Sequence, residues 1–145
     1  MNSDKSRTVI AAKAEAPSRL TLHWSDGTIV TLDMANVLKD RAFRGLKDPA
    51  AFDAAAVGEW GHSVEWRTGE TLSADALWLE TLSAVGKPDA RAFLEWRTRH
   101  GLSLSRAAEA LGLSRRMIAY YSNGEKPVPR AVLLACRGWE ADQAA

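Results

Sequence analysis

Residues 103–123 read SLSRAAEALGLSRRMIAYYSN, and this stretch decides the fold of the second half of the chain. Ser103 is a favourable helix N-cap, and the apolar residues after it recur at the i, i+3, i+4 and i+7 spacing of one buried helix face. Gly112 supplies a left-handed turn, and Ser114 caps a second helix that runs through Tyr121. The sequence therefore predicts a helix-turn-helix. The buried face of its first helix comprises Leu104, Ala107, Ala108 and Leu111.

Helical patterns continue on both sides of this stretch. Upstream, Asp89 is predicted to cap a helix directly after Pro88. Downstream, prolines at 127 and 129 precede a last helix from Arg130 to about Trp139, and residues 141–145 are expected to fray. The apolar stripe of that helix either closes the helical core or, at its last member, faces a second subunit. Its residues are Val132, Leu133, Cys136 and Trp139.

The first half contains short segments of alternating apolar and polar residues separated by turn-forming residues, a pattern typical of short strands. Arg19–Trp24 and Thr28–Asp33 alternate apolar and polar residues around Asp26-Gly27, which is the strongest short-range hairpin signal. A third strand over Arg7–Ala14 would lie beside this hairpin. Further predicted elements are short helices over 34–39 and 49–52, a strand pair Ala55–Trp60 and Ser63–Trp66 around Gly61, and a helix capped by Ser73.

Length and composition fit two small domains. The chain has 145 residues, of which 46% are hydrophobic and 26% charged, a balance typical of folded globular proteins. Gly86-Lys87-Pro88 interrupts the pattern and places a linker at residues 84–88. We therefore predict an α+β domain over residues 1–84, a small antiparallel sheet with short helices, followed by an all-α helix-turn-helix domain over residues 85–145.

The first domain is rich in tryptophan, and its four tryptophan side chains are predicted to anchor the core. The alternatives are an apolar binding groove or a dimer interface. The single cysteine, Cys136, excludes an intrachain disulfide and is predicted to fill space on a packed helix. The four tryptophans are Trp24, Trp60, Trp66 and Trp78.

The formal net charge of +1 hides an uneven distribution. Residues 1–86 hold 9 Lys and Arg against 12 Asp and Glu, a balance of −3, whereas residues 87–145 hold 10 against 6, a balance of +4. A basic half favours contact with a polyanion, although a difference of this size is also typical of solvated surface.

No catalytic residue, metal site or cofactor is predicted. The chain has no glycine-rich phosphate loop, serine elbow or metal-spaced histidine pair, and His23 and His62 have only Asp26, Glu59 and Glu65 as conceivable partners. No stretch approaches the roughly 20 uninterrupted apolar residues of a membrane span, and residues 1–16 lack the apolar run of a signal peptide. We therefore expect a cytoplasmic protein that is not an enzyme.

Three segments of the first domain carry a family resemblance. They are LHWSDG at 22–27, FRGLKD at 43–48 with the nearby Phe52, and VEWRTG at 64–69. Over roughly residues 9–80 the chain resembles a bacterial family known only as domain of unknown function 2442. Two places in these segments differ from the family pattern. Trp24 stands where members more often have phenylalanine, and Arg67-Thr68 stands where they more often have Pro-Asn. The shared positions lie in turns and core, so the resemblance implies a fold and no chemistry, although some members are joined to a helix-turn-helix.

The second domain resembles another family through its spacing. If Leu104 is counted as position one, Ala108 is at position five, Gly112 at nine and Ile118 at fifteen. A small residue at five lets the two crossing helices approach closely, the glycine at nine allows a tight turn, and the branched apolar residue at fifteen fills the core between the helices. The run from Phe93 to Pro127 resembles the phage-repressor-like, XRE/Cro-type helix-turn-helix family of bacterial and phage regulators.

That second resemblance implies the site residues. In such domains the second helix lies in the DNA major groove with its amino-terminal side chains towards base edges. Arginine grips guanine with two parallel hydrogen bonds and methionine suits a thymine methyl, or the arginines only neutralise phosphates. The matching base-contact positions are Arg115, Arg116, Met117 and Tyr120. The candidate DNA-backbone contacts are Ser103, Ser105, Asn123, Lys126 and Arg130.

Two positions depart from the family. Members commonly have a phosphate-binding glutamine at the position of Leu104, and leucine cannot make that bond. They also often pair an arginine matching Arg97 with a glutamate at the position of Ser122. Because serine cannot neutralise a guanidinium, Arg97 needs another acid, a carbonyl or solvent.

The sequence therefore predicts a sequence-specific DNA-binding transcriptional regulator that binds a palindromic operator in double-stranded DNA as a homodimer. Its first domain would pair subunits, sense a signal or recruit a partner protein. The two departures support the alternative, an antitoxin-like protein-interaction module that binds DNA weakly or only in a complex.

Overall fold

The computed structural model describes residues 7–144 and divides them into two compact units, one up to Ala84 and one from Val85. The first unit contains two small antiparallel sheets and short helices, and the described part of the second contains helices without strands. The predicted fold class, α+β followed by all-α, is therefore confirmed. Within residues 7–144 no helix has the length and apolar character needed to cross a membrane.

The first sheet contains the predicted hairpin. Its antiparallel strands, in spatial order, are β1 (Val9–Glu15), β2 (Arg19–Trp24) and β3 (Ile29–Asp33). At the turn, Asp26 Oδ1 accepts the Thr28 N–H at 2.9 Å, and Gly27 adopts a φ of 95°, which costs glycine little because it lacks a Cβ. Alternation places the apolar residues of β2 on the core face, namely Leu20, Leu22 and Trp24.

The rest of the first unit is built from short elements. The second sheet consists of β4 (Ala56–Val57), β5 (Ser63–Glu65) and β6 (Thr71–Ser73), and the helices are α1 (Pro49–Asp53) and α2 (Ala74–Ala84). Three 3₁₀ helices cover Val37–Lys39, Arg41–Lys47 and Glu59–Gly61. Ser73 caps α2 as predicted, since its Oγ accepts the Ala76 N–H at 3.1 Å. Neither β6 nor the 3₁₀ helix Arg41–Lys47 was expected from the sequence.

The strand predicted over Ala55–Trp60 is wrong beyond Val57. Trp60 and Gly61 adopt φ values of 60° and 74°, a left-handed conformation that ends strand pairing. A Cβ on Gly61 would lie 2.5 Å from the carbonyl oxygen of Val9, so this turn fits against β1 only because residue 61 has no side chain.

Three of the four predicted tryptophan anchors are buried. Trp24 Nε1 donates to Thr81 Oγ1 at 3.1 Å, and Trp66 Nε1 donates to the Phe52 carbonyl at 2.9 Å. Trp78 is also buried, and its ring meets that of Trp24 edge-on. The prediction is wrong for Trp60, which is 80% exposed because it lies in the turn instead of on the inward face of a strand.

The second unit packs four helices around one apolar core. They are α3 (Pro88–Arg99), α4 (Leu104–Leu111), α5 (Arg115–Asn123) and α6 (Arg130–Ala144). The Phe93 ring lies 5.6 Å from the Trp96 ring and 5.5 Å from the Tyr121 ring, which joins α3 to α5. The α6 stripe packs on this core, and burial raises the pKa of the Cys136 thiol to about 12.

Two predictions about helix ends are wrong. Asp89 does not cap α3, because the helix already begins at Pro88, whose missing N–H suits the first helical position. Asp89 Oδ2 instead accepts the Val128 N–H at 2.7 Å. The irregular end predicted for residues 141–144 is not seen, because α6 continues to Ala144 through a segment that contains no helix breaker. Residue 145 lies outside the described residues.

Glu140 on α6 is bonded to the carboxyl end of α3. Its Oε2 lies 2.6 Å from His100 Nε2 and 3.0 Å from Arg99 Nη2. The hydrogen bond from His100, and after it that from Arg99, lowers the pKa of Glu140 below its ordinary value. The carboxylate therefore stabilises the folded state in its ionised form.

We expect Glu140→Gln to remove a pH-dependent part of the stability. Because the folded-state pKa is lowered, this contribution is present above the ordinary value of 4.5 and is lost as the pH falls through the lowered pKa. The difference in Tm between the wild-type chain and the variant should therefore shrink on acidification. Thermal unfolding at a series of pH values from about 7 to 3 tests this, and a constant difference would contradict it.

Candidate functional site

The helices α4 and α5 begin with the same device. Ser103 Oγ accepts the Arg106 N–H at 3.1 Å, and Ser114 Oγ accepts the Met117 N–H, also at 3.1 Å. Each serine thereby satisfies a backbone donor that a helix start leaves without an intrahelical partner. Both predicted caps are confirmed.

A tight turn joins the two helices and fixes one face of α5 in the core. Gly112 adopts a φ of 69°, and the Leu113 N–H donates to the Ala108 carbonyl at 3.0 Å. In α5, Ile118 is fully buried and Tyr121 nearly so. Because these two residues hold α5 from beneath, the side chains on its opposite face are presented outward on a rigid support.

The four predicted base-contact residues all lie in the first two turns of α5. Arg115 and Arg116 are exposed, whereas Met117 and Tyr120 are half-buried. The Arg115 side chain has no hydrogen bond or ion pair with any residue in the described range 7–144. Its guanidinium is therefore available to a ligand.

Arg116 is held in place by a tyrosine. Its Nε donates to Tyr120 Oη at 2.5 Å, and its guanidinium carbon lies 5.3 Å from the Tyr120 ring centroid. Lys126 Nζ lies 4.7 Å from the same centroid, so one ring positions two cations. The i,i+4 spacing of Arg116 and Tyr120 is a signal in the sequence for the first contact, but the second crosses the turn after α5 and was missed.

The predicted backbone contacts have different surroundings. Ser105 and Arg130 are exposed, with no side-chain hydrogen bond to other residues of the described part. The Ser103 oxygen already accepts the cap bond of α4. Asn123 Oδ1 is buried and has no hydrogen-bond partner among the described residues. A phosphate needs donors, so Asn123 has only its amide nitrogen to offer.

Arg97 finds a carbonyl, one of the partners expected for it. It is 5% exposed, its Nε donates to the Leu102 carbonyl at 3.1 Å, and its Nη1 donates to Ser122 Oγ at 2.8 Å. Ser122 in turn donates to the Ile118 carbonyl at 2.7 Å. Ser122 thus accepts a hydrogen bond from the charged guanidinium of Arg97, and this bond links α3 to α5.

Sequence reasoning missed Lys87. Its Nζ donates to the Gly124 carbonyl at 2.9 Å, where Gly124 ends α5 with a φ of 73°. Carbonyls at a helix carboxyl end carry partial negative charge, which a lysine stabilises. The two residues are far apart in sequence, and no local pattern announces the contact.

The histidines of the first unit lie on separate elements, His23 on β2 and His62 directly after the 3₁₀ helix Glu59–Gly61. In the part of the chain that the structure describes, no group of three or more His, Cys, Asp or Glu side chains is arranged to hold a metal ion. The outward face of α5 is the strongest candidate site.

The fold and this face define a two-unit protein, an α+β unit followed by a helical unit with a cationic outer helix. The chain belongs to DUF2442, a family of proteins of unknown function whose model matches residues 9–81. The family resemblance predicted for the first half is therefore confirmed.

The comparison with solved structures extends over both halves. A crystal structure of a "putative DNA binding protein" from Nitrosomonas europaea is similar with a TM-score of 0.68 at 39% sequence identity. The match covers 94% of this chain and 88% of that chain. The comparison with curated proteins found no match.

Proposed function

We propose that this protein is a sequence-specific DNA-binding transcriptional regulator that binds a palindromic operator as a dimer. The observation that carries the proposal is the exposure of Arg115 and Arg116 in the first turn of α5, whose other face is fixed in the core by Ile118 and Tyr121. A rigid helix with guanidinium groups at its amino end suits the reading of base edges in a major groove. In this proposal α4 and α5 form a helix-turn-helix of the phage-repressor type.

Charge and similarity support the same proposal. Residues 87–145 hold 10 Lys and Arg against 6 Asp and Glu, a basic balance that favours a polyanionic partner. The similar protein from Nitrosomonas europaea is described as a "putative DNA binding protein". Its match to this chain includes the helical unit. Both observations concern DNA in general, and sequence specificity follows only from the proposed role of α5.

The surroundings of each side chain suggest its role. Arg115, which is exposed and without a partner in the described structure, would bind a guanine directly. Arg116 would approach the DNA in an orientation set by Tyr120, and Lys126, on the same ring, would neutralise a phosphate. The backbone contacts of Ser103, Ser105, Asn123 and Arg130 remain proposals of the same kind.

Selection from a library of random DNA duplexes tests this function. We expect the purified full chain to enrich a palindromic motif whose half-site centres are about 34 Å apart, because two recognition helices on one side of a duplex require that spacing. Affinity should fall steeply with salt as phosphate contacts release counterions. Uniform binding to all duplexes, or none, would contradict the proposal.

One observation favours the alternative of an antitoxin-like interaction module. Leu104 is buried in the core, at the position where members of the phage-repressor-like family commonly have a phosphate-binding glutamine. The helix start at Ser103 therefore lacks one anchor. The same selection separates the two functions, since the alternative requires enrichment only when a partner protein is co-purified with the chain.

A further inference from the structure

A cleft of about 510 Å³ lies in the first unit. Two of the three segments that carry the family resemblance meet there, FRGLKD at 43–48 and VEWRTG at 64–69. The function proposed for α5 makes no use of this cleft, and none of its residues belongs to the helical unit. The lining consists of Arg41, Ala42, Arg44, Gly45, Thr68 and Glu70.

The helix that forms one side of the cleft places its two arginines in a row. Residues Arg41–Lys47 form a 3₁₀ helix, which has three residues per turn, so side chains three apart lie directly above one another. Arg41 and Arg44 therefore project from the same edge, separated by about 6 Å along the helix axis. The adjacent row holds the small residues Ala42 and Gly45, which leave space for the cleft, while Leu46 on the third row is buried.

Both guanidinium groups are available. Neither the Arg41 nor the Arg44 side chain has a hydrogen bond or ion pair with another residue of the described range. The two neighbouring carboxylates are already used as helix caps, since Asp40 Oδ1 accepts the Ala42 N–H at 2.9 Å and Asp48 Oδ1 accepts the Ala50 N–H at 3.2 Å. Two positive charges thus border the cleft, and Glu70 is the carboxylate that lines it.

The opposite wall provides acceptors. Thr68 Oγ1 donates to Glu70 Oε1, which holds the carboxylate beside the 3₁₀ helix. A Cβ on Gly45 would lie 2.6 Å from Glu70 Oε2, so the glycine allows this carboxylate its close position. A ligand in the cleft would meet two cations on one side and a carboxylate oxygen on the other.

We propose that this cleft binds a small phosphate monoester that also carries hydroxyl or amino groups, such as a sugar phosphate. A phosphate monoester has a charge of about −1.5 to −2 at neutral pH. This charge balances the two guanidinium groups more fully than the single negative charge of a carboxylate ligand would. Arginine binds phosphate oxygens through two parallel N–H bonds. The hydroxyl groups would donate to Glu70. In a DNA-binding regulator this would be the signal that the first unit senses, but the binding itself does not depend on the function proposed for α5.

Titration of the full chain with ribose 5-phosphate, followed by ¹⁵N–¹H NMR, tests the proposal. We expect saturable shifts of the backbone amides in residues 41–47 and 68–70. Arg41→Ala and Arg44→Ala should each weaken binding about tenfold or more, because each removes a charge-assisted contact. The matched control is Arg67→Ala, an exposed arginine beside the cleft that does not line it, and it should bind as the wild-type chain does. The dispersion of the spectra shows whether each variant is folded.

Further ligands separate this site from general charge attraction. Ribose without its phosphate should cause no shifts, and inorganic phosphate should bind the same residues more weakly because it lacks the sugar hydroxyls. Lys47→Ala should have little effect, since Lys47 shares the row but does not line the cleft. Equal binding by the Arg41→Ala and wild-type chains would overturn the proposal. So would shifts caused only by duplex DNA and reduced equally by Lys47→Ala and Arg67→Ala.

Discussion

Replacing Arg115 or Arg116 with alanine is expected to abolish the selectivity of DNA binding while leaving the fold intact. Both side chains are exposed, and α5 is held by buried residues on its other face, so their removal costs little stability. An arginine that grips a base is worth about 1–3 kcal/mol, or roughly a five- to 150-fold loss of affinity for the selected site. Fluorescence anisotropy with the selected duplex and a scrambled duplex measures both affinities.

The control for the lost charge is Arg137→Ala, on an exposed position of α6. It should bind the selected duplex almost as well as the wild-type chain. If the α5 variants lose affinity equally for every duplex, the arginines contact only phosphates and the base-reading role is refuted.

Tyr120→Phe examines how Arg116 is oriented. The substitution removes the phenolic oxygen that accepts from Arg116 Nε but keeps the ring beneath Lys126. Selectivity at one base position should fall more than affinity for scrambled DNA, because the charge stays and only its orientation is released.

Phe93→Ala should have the largest effect on stability. The Phe93 ring is fully buried between the rings of Trp96 and Tyr121, so truncation leaves a cavity where α3 meets α5. Loss of a buried phenylalanine side chain costs about 3–5 kcal/mol in the free energy of unfolding. Urea denaturation followed by circular dichroism measures this, and hydrogen exchange should show the loss of protection in residues 88–144.

Leu134→Ala is the matched apolar truncation. Leu134 is 47% exposed on α6, so its removal should cost well under 1 kcal/mol. If Phe93→Ala is no more destabilising than this control, the aromatic cluster does not hold the helical unit together. DNA binding should fall in parallel with the folded fraction of Phe93→Ala, which distinguishes it from the arginine variants.

Much of the helical unit could be predicted because its signals are local. The caps at Ser103 and Ser114 and the left-handed turn at Gly112 each depend on a few neighbouring residues. The hairpin around Asp26-Gly27 is a signal of the same kind. The exposure of Arg115 and Arg116 also follows from helical periodicity, since Ile118 fixes which face is buried.

The failures occurred where a local signal competed with a distant contact. Asp89 has the chemistry of a cap, but its carboxylate binds the N–H of Val128, far along the chain. Trp60 has the composition of a core residue, but the turn around Gly61 packs against β1 and removes it from the strand.

The sequence by itself determined the hairpin around Asp26-Gly27, the caps and the turn of α4 and α5, and the cationic face of α5, because hydrogen bonds between near neighbours and the spacing of apolar residues decide these features. Only the tertiary structure decided that Lys126 joins Arg116 on the Tyr120 ring and that the arginine row of a 3₁₀ helix faces Glu70. Such arrangements bring together residues from separate elements, and their geometry depends on how the whole core packs rather than on any local pattern.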